Sequence, residues 1–382
     1  GNYRFFPFIF TINTKLNPDN TQDNTFIIPF REGTYPTLIS KPVGINWGDG
    51  VYTIIEDGIF TQEKCTHTYD NAGTYNISII SAGDNAPFFS FYDYYSDINN
   101  NSLKITATST GIIPPIEEDG SEITSVQYTF AGCTNLREVT SKLFDNLSNL
   151  TDYAFAHTFD GCVSLNNLPQ YLFRKNTSVA SHAFDHTFKD CVNLTSLPGL
   201  LFRYASTASD YAFYGTFEGC NGLTVLPTNT FLYATGTANN AFEQTFLNCV
   251  NLKTIEDGAL ANSTSYSYKK MFKGCTSLQI NPYIFGNYDV EPGIKTTKFN
   301  TPRIQYDFTS MFERDTFFSL GTAGTAPDLW TWTFAETPIS EDCFRGLGNF
   351  TLTNYRSIPT SWGGPEQYTL TINPTPSSAS VL

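Results

Sequence analysis

The spacing of the cysteines constrains this chain more than any other feature. Cys133, Cys162, Cys191, Cys220 and Cys249 each lie 29 residues after the one before. A fixed period of that length indicates a repeat protein, in which each unit buries its apolar face against its neighbours. We therefore expect function on an extended surface rather than in a single deep pocket.

The repeated units share one pattern, A-F-x-x-T-F-x-x-C-x-x-L-x-x-L-P-x-x-x-F, which is complete three times between residues 153 and 231. Outside that range the pattern decays: Cys275 follows Cys249 by only 26 residues, and weaker copies surround Met311 and Cys343. Atypical terminal repeats are expected, because one face of each must be capped instead of stacked.

The spacing within a unit predicts its local structure. Phe155, Phe159 and Cys162 stand at i, i+4 and i+7, which predicts a short helix with one apolar stripe. Leu165 and Leu168 follow as the inward residues of a short strand that a proline ends. A polar loop of nine residues then leads to the next unit, so that successive strands are expected to stack as a parallel ribbon.

This pattern resembles the leucine-rich repeats of BspA-like bacterial surface proteins, over roughly residues 120 to 360. The resemblance implies a leucine-rich-repeat solenoid of short helices and strands, which we place at residues 123–364. It also implies exposure on a surface and a role in adhesion or ligand recognition rather than catalysis.

The N-terminal region has a different pattern, with a Gly-Asp-Gly turn signal and alternating strands between residues 46 and 80. It resembles the PKD-type β-sandwich, whose hallmark is an aromatic residue before G-D-G followed by H-x-Y-x-x-x-G-x-Y. The matching residues are Trp47, Gly48, Asp49, Gly50, His67, Tyr69, Gly73 and Tyr75. The resemblance implies an immunoglobulin-like sandwich over residues 1–84, acting as a spacer.

The predicted fold class is therefore a multidomain, β-rich α/β protein in which a PKD/Ig-like β-sandwich precedes a leucine-rich-repeat solenoid. Residues 85–122 are predicted to supply a capping strand and a connector. Residues 365–382 begin as a strand and end in Pro/Ser-rich sequence, which indicates the start of a further β-module or a linker.

Composition excludes several classes of function. A net charge of −14 disfavours nucleic acid and anionic membranes as partners, because binding phosphate requires clustered Lys and Arg. The sequence lacks an apolar run long enough to span a bilayer and lacks the common hydrolase, P-loop and dinucleotide motifs. We predict that the chain is not an enzyme and uses no cofactor.

The candidate binding residues are the outward pairs of the predicted strands, because the inward Leu, Phe and Cys are used in packing. These are Asn166, Asn167, Thr195, Ser196, Thr224, Val225, Lys253 and Thr254. Parallel strands would align them into one polar surface that suits a protein or glycan ligand. The alternative surface is formed by the loops that carry Arg174, Arg203, Tyr204 and Tyr233, since Tyr and Arg often dominate protein interfaces.

The remaining residues that could carry chemistry are predicted to have structural roles. The lattice cysteines are predicted to be reduced and buried, because thiols stacked in a row are not paired selectively. His182 and His186, with His157 one repeat earlier, could bind zinc, but a solvated face is favoured, and no metal is predicted. Asp19 and Asp23 could hold calcium, although their spacing matches no known loop. The acidic run at 117–119 is predicted to be a solvated turn.

The sequence favours a non-enzymatic adhesion or recognition protein of a bacterium, extracellular or on the cell surface, that binds protein or glycan through the solenoid. A phage virion fibre or decoration protein is the main alternative. A purely structural spacer is a third interpretation.

Overall fold

The computed structural model of this chain describes most of its length. The described residues are 6–15, 24–28, 42–56, 59–81, 86–87, 91, 101–111, 115–116, 125–147, 151–234, 238–263, 265–291, 293–314, 324–347 and 352–366. Their strands are β1 Phe6–Asn13, β2 Thr25–Ile27, β3 Val43–Asn46, β4 Tyr52–Ile55, β5 Thr66–Thr68, β6 Thr74–Ser81, β7 Ala86–Pro87, β8 Ile105–Thr108, β9 Pro115–Ile116, β10 Ser178–Val179, β11 Thr207–Ala208, β12 Val225–Leu226 and β13 Thr254–Ile255.

The N-terminal region is built on an antiparallel sheet with the strand order β4-β3-β6-β1-β8. Alternation along β1 decides which face of this sheet is buried, since successive strand residues point to opposite faces. Phe8, Phe10 and Ile12 are completely buried, and Phe10 lies opposite Ile77 of β6. β2 and β5 pair separately as a sheet with three residues in each strand.

The residues of the Gly-Asp-Gly motif region cluster around one buried indole. The Trp47 side chain is fully buried, and its carbonyl accepts a hydrogen bond from the Tyr69 hydroxyl at 2.8 Å. The His67 ring stacks on Trp47 with 5.0 Å between centroids, and His67 Nε2 lies 2.7 Å from the Asp49 carboxylate. Tyr75 stacks on Tyr69 at 3.9 Å. The motif therefore fixes the turn between β3 and β4 against β5 and β6.

The backbone of the repeats alternates between two kinds of hydrogen bond. In the unit that begins at residue 153, the N–H groups of Phe155 and Phe159 donate to carbonyls of the next repeat, each at 2.8 Å. The intervening Ala156 and Thr158 donate instead to carbonyls three residues back. Tyr153, His157 and Gly161 have positive φ, at every fourth position. Each segment is thus a series of tight turns whose spare N–H groups bind the neighbouring repeat.

The predicted leucine-rich-repeat solenoid of short helices and strands is wrong. The α-helices of the described residues are two four-residue segments, α1 Asn101–Lys104 and α2 Ile294–Thr297, and neither lies in the Phe-Phe-Cys stripe. The helical interpretation fails because an α-helix would keep every N–H bond within the segment. The sheets are small, and the repeat strands β10 to β13 have two residues each. In the N-terminal region, for which a β-sandwich was predicted, the described strands form the five-stranded sheet and the short β2–β5 pair.

Equivalent side chains nevertheless stack from repeat to repeat. The Phe159, Phe188 and Phe217 rings are stacked with centroids 5.4 Å apart and nearly parallel planes. Buried threonine hydroxyls between these rings donate to carbonyls of the preceding repeat, as Thr187 does to Phe155 at 2.9 Å. We call this region, the described residues between 126 and 363, the repeat stack. Its core is a set of aligned aromatic columns, and the hydroxyls are additional donors to carbonyls that already accept an N–H within their own turn, as the Phe155 carbonyl does from Thr158.

Strand β8 joins the two regions. On one side it pairs antiparallel with β1, and on the other it binds the first repeat, where the Arg137 N–H donates to Thr106 at 2.9 Å. The Phe91 ring covers the first aromatic column by stacking on Phe130 at 5.5 Å. The far end is covered by a turn of 3-10 helix, in which the Trp362 carbonyl accepts from Phe344 N–H at 2.9 Å. The remaining described elements are the parallel pair β7–β9 and the 3-10 segments Leu329–Thr331, Tyr355–Ser357 and Thr360–Trp362.

Candidate recognition surface

The strand segments place the predicted binding residues in one outward row. Leu165 and Leu168 are buried, which confirms their predicted inward direction. The outward residues between such leucines form what we call the strand row: Asn166, Asn167, Thr195, Ser196, Thr224, Val225, Lys253 and Thr254. Seven of these side chains are exposed, and Val225 is half-buried. Their role in ligand binding stays a prediction.

Backbone bonds between neighbouring repeats hold the strand row in register. The Thr195 N–H donates to the Asn166 carbonyl at 3.3 Å, and the Lys253 N–H donates to the Thr224 carbonyl at 2.9 Å. Val225 pairs with Thr254 in the parallel β12–β13 ladder. Because the backbone fixes these positions, a ligand would meet short polar side chains whose spacing is set by the repeat.

The loop surface that was the alternative site carries a compact group of aromatic and cationic side chains. The Arg203 guanidinium lies 5.8 Å from the ring centroid of Tyr204 and 5.8 Å from that of Tyr233. Both tyrosines are about two-fifths exposed, at 40% and 41%. Arg174 instead forms a bidentate contact with Asp145 of the preceding repeat. The structure therefore separates two polar surfaces on the same repeats.

The three histidines of the stack lie in a third place, on the outer side of the turn segments. Asp185 binds two of them, His182 Nδ1 at 2.6 Å and His186 Nδ1. His186 Nε2 also binds the Glu218 carboxylate at 3.0 Å. The His157 ring stacks on His186 at 5.0 Å. We call this chain of contacts the histidine cluster.

Its electrostatics favour a charged imidazole. Burial by itself would lower the pKa of His186, but the hydrogen bonds with Asp185 and Glu218 outweigh it and raise that pKa to about 9. Burial would likewise raise the pKa of Asp185, but its bonds with the two histidines lower it. The hydrogen bond from His186 lowers the pKa of Glu218. At neutral pH the His186 imidazolium thus forms hydrogen-bonded ion pairs with Asp185 and Glu218.

The histidine cluster is arranged for ion pairing more than for metal binding. His157, Asp185 and His186 offer ligand atoms within 4.8 Å of one another. Zinc requires lone pairs that converge on one point, at about 2.0 to 2.2 Å from each oxygen or nitrogen ligand. The planes of the two stacked imidazoles differ by only 7°, so their in-plane lone pairs lie in separate, nearly parallel planes and do not converge on one point. Both nitrogens of His186 are also engaged by carboxylates.

Sequence reasoning did not identify Glu218 as part of this cluster. Glu218 lies 32 residues after His186, which is one repeat plus three positions. The cysteine and threonine side-chain bonds between repeats span the same 32 residues. An offset of 32 residues could have predicted the contact between His186 and Glu218. The offset itself, however, is known only once the stacking register of the repeats is known.

The cysteines of the lattice are packing residues, as predicted from their spacing. All eight cysteines are buried thiols. The thiols of Cys162, Cys191 and Cys220 each donate to a phenylalanine carbonyl of the preceding repeat, at 3.0 to 3.2 Å. Burial raises the pKa of these thiols well above its ordinary value. They are therefore poor nucleophiles in the folded protein.

Some sequence-based interpretations lie outside the described residues. These are the possible calcium ligands Asp19 and Asp23, the acidic run at 117–119, and the C-terminal strand from residue 367 onward. Among the residues that the structure does describe, none belongs to a helix long and apolar enough to cross a lipid bilayer.

Comparison with known proteins yields no relative from which a function could be transferred. No family model matches the chain, no curated protein is significantly similar to it, and no solved structure matches its fold.

Proposed function

We propose that this protein is a non-enzymatic recognition protein that binds a protein or glycan partner through the strand row. The observation that supports this proposal is that adjacent repeats present exposed polar side chains on a backbone fixed by inter-repeat hydrogen bonds. A surface held rigid before binding loses little conformational entropy when a ligand docks. The proposed location is an extracellular or cell-surface one, where such a surface meets its partners. The BspA-like resemblance suggested the same role, but the fold it implied is wrong, so the proposal rests on the surface itself.

The strand row suits a broad polar partner. Apart from Lys253 its side chains are small and neutral, and all of these except Val225 offer hydroxyl or amide groups that both donate and accept hydrogen bonds. Glycan hydroxyls and exposed peptide groups have the same dual character. Because each repeat contributes an equivalent pair, a ligand with its own repeating unit could engage several pairs at once.

The test is a binding screen on a printed glycan array and on immobilised surface proteins, using the wild-type chain and two charge variants. Thr195→Glu and Thr224→Glu place carboxylates in the middle of the strand row, and we expect each to abolish binding. Thr207→Glu, at an exposed position in β11, is the matched control and should bind normally. If only the control variant loses the ligand, the strand row is not the binding surface.

A further inference from the structure

The charges along a second kind of column suggest a separate anion-binding surface. This column consists of equivalent side chains, one from each repeat, on the loop side of the repeat stack. At equivalent positions of four successive repeats this column reads Asp145, Arg174, Arg203 and Leu232. Asp145 and Arg174 neutralise each other through two contacts. Arg203 is exposed, and within the described residues it has no carboxylate partner. The column therefore leaves one guanidinium uncompensated in a chain whose net charge is −14.

The neighbouring column supplies an aromatic frame for that guanidinium. Tyr204 and Tyr233 occupy the same position in adjacent repeats, and the Arg203 guanidinium lies 5.8 Å from both rings. Contact with aromatic rings orients a guanidinium without using its N–H donors, which remain available for a ligand. Lys175, one repeat earlier in this column, is exposed and adds a second positive charge.

The backbone beneath these side chains is held firmly. Tyr204 lies between Phe202 and Ala205, which are both 1% exposed, and the Ala205 N–H donates to the Phe202 carbonyl at 3.0 Å. In the next repeat Ala234 makes the same bond to Phe231, also at 3.0 Å. The Phe202 and Phe231 rings stack at 5.5 Å, which fixes the distance between the repeats. The tyrosines and Arg203 are therefore displayed from a rigid base.

We propose that Arg203, Tyr204 and Tyr233 bind a carboxylated sugar unit of an acidic glycan. A guanidinium recognises a carboxylate through two parallel hydrogen bonds, and this geometry is specific for planar anions. The exposed tyrosine rings can pack against the C–H face of a sugar ring. The group is small compared with the roughly 800 Å² that each partner buries in a protein interface, which favours a sugar over a protein. This site is independent of the strand row.

The experiment measures binding of oligogalacturonate by isothermal titration, with its methyl-esterified form as the uncharged comparison and polyglutamate as the acidic peptide. We expect binding of the carboxylated oligosaccharide only, weakened by added salt. Arg203→Gln should weaken it at least about tenfold, and Arg203→Lys should recover only part of the loss because the lysine lacks the two-pronged geometry. Tyr204→Ala should also weaken binding. All these positions are exposed, so thermal unfolding should show an intact fold.

Two controls separate this proposal from the strand-row proposal. Lys253→Gln removes one positive charge from the strand row and should leave oligogalacturonate binding unchanged, as should Thr195→Glu. The proposal is overturned if the methyl-esterified form binds equally well, if polyglutamate binds as tightly as the sugar, or if Arg203→Gln binds normally. Absence of any oligogalacturonate binding at millimolar concentration would also overturn it.

Discussion

The N-terminal sheet and the repeat stack solve the same hydrogen-bonding problem in different ways. In the sheet, β1 and β6 exchange bonds across a long stretch of sequence, with Phe6 opposite Ser81, and every cross-strand pair is unique. In the regular part of the stack, up to Gly219, inter-repeat backbone bonds of the turn segments recur at one separation, as from Phe130 to Thr158 and from Phe217 to Thr245, and each repeat contacts its neighbours through equivalent atoms. We conclude that stability is concentrated in one cooperative unit in the sheet and is distributed along the stack.

Strand β8 makes the comparison experimentally useful, because it belongs to both regions. It is an edge strand of the N-terminal sheet and also the first neighbour of the repeats. A disturbance in either region can therefore be followed to this strand by amide hydrogen exchange.

The largest expected effect comes from removing one ring in each region. Phe188→Ala and Phe10→Ala both delete fully buried aromatic side chains and should each reduce the free energy of unfolding by about 3 to 5 kcal/mol. The pattern of exchange should differ between the variants. Phe188→Ala should expose mainly its own and adjacent repeats, whereas Phe10→Ala should raise exchange throughout the five-stranded sheet. Uniform loss of protection in both variants would show a single cooperative unit.

The next effect tests the turns of the stack. The His186 ring occupies the space beside Gly215, so that an added Cβ would lie only 2.6 Å from His186 Nε2. Gly215→Ala should therefore cost roughly 2 to 4 kcal/mol, from left-handed backbone strain plus the displaced imidazole. Gly161→Ala is the matched control, since Gly161 also has positive φ but its nearest neighbouring atom is 3.8 Å away. It should cost about 1 to 2 kcal/mol in urea unfolding. Equal losses would contradict the packing of His186 over Gly215.

A smaller effect is expected from pH, and it should be localised in the stack. The folded protein raises the pKa of His186 to about 9, so the stabilisation is complete below the ordinary histidine pKa of about 6.5 and is lost as pH rises through 9. After allowance for partial solvent screening we expect about 1 to 2 kcal/mol. His186→Gln should remove this dependence, and Glu218→Gln should reduce it. An unchanged pH profile in His186→Gln would refute the assignment.

The smallest effects compare single hydrogen bonds in the two regions. Cys191→Ser replaces a buried thiol that donates to the Phe159 carbonyl, and Tyr69→Phe deletes the hydroxyl that donates to Trp47. Each should cost about 1 kcal/mol, measured by chemical unfolding. Both variants should keep the fold and any ligand affinity. A covalent link between Cys162 and Cys191 in non-reducing mass spectrometry would disprove the packing role of the thiols.

The sequence by itself determined the periodic part of this protein. The 29-residue spacing predicted which side chains are equivalent, and the structure stacks those side chains in columns. The apolar pattern predicted that Leu165 and Leu168 point inward, and their burial confirms it. The G-D-G and H-x-Y residues predicted a turn within a β region, and the structure brings Trp47, His67 and Tyr69 into contact. These inferences succeeded because burial follows from side-chain chemistry alone.

The conformation between the inward residues was decided only by the tertiary structure. Phe155 and Phe159, four residues apart, fit one face of a helix and equally fit two consecutive turns, because a stripe this short cannot distinguish a period of 3.6 from one of 4. Gly215 and Gly219 were the available local warning, since glycine is unfavourable inside a helix. The turns are stable because the neighbouring repeat accepts the N–H groups that they leave free. A local pattern contains no information about such a partner, and only stacking supplies it.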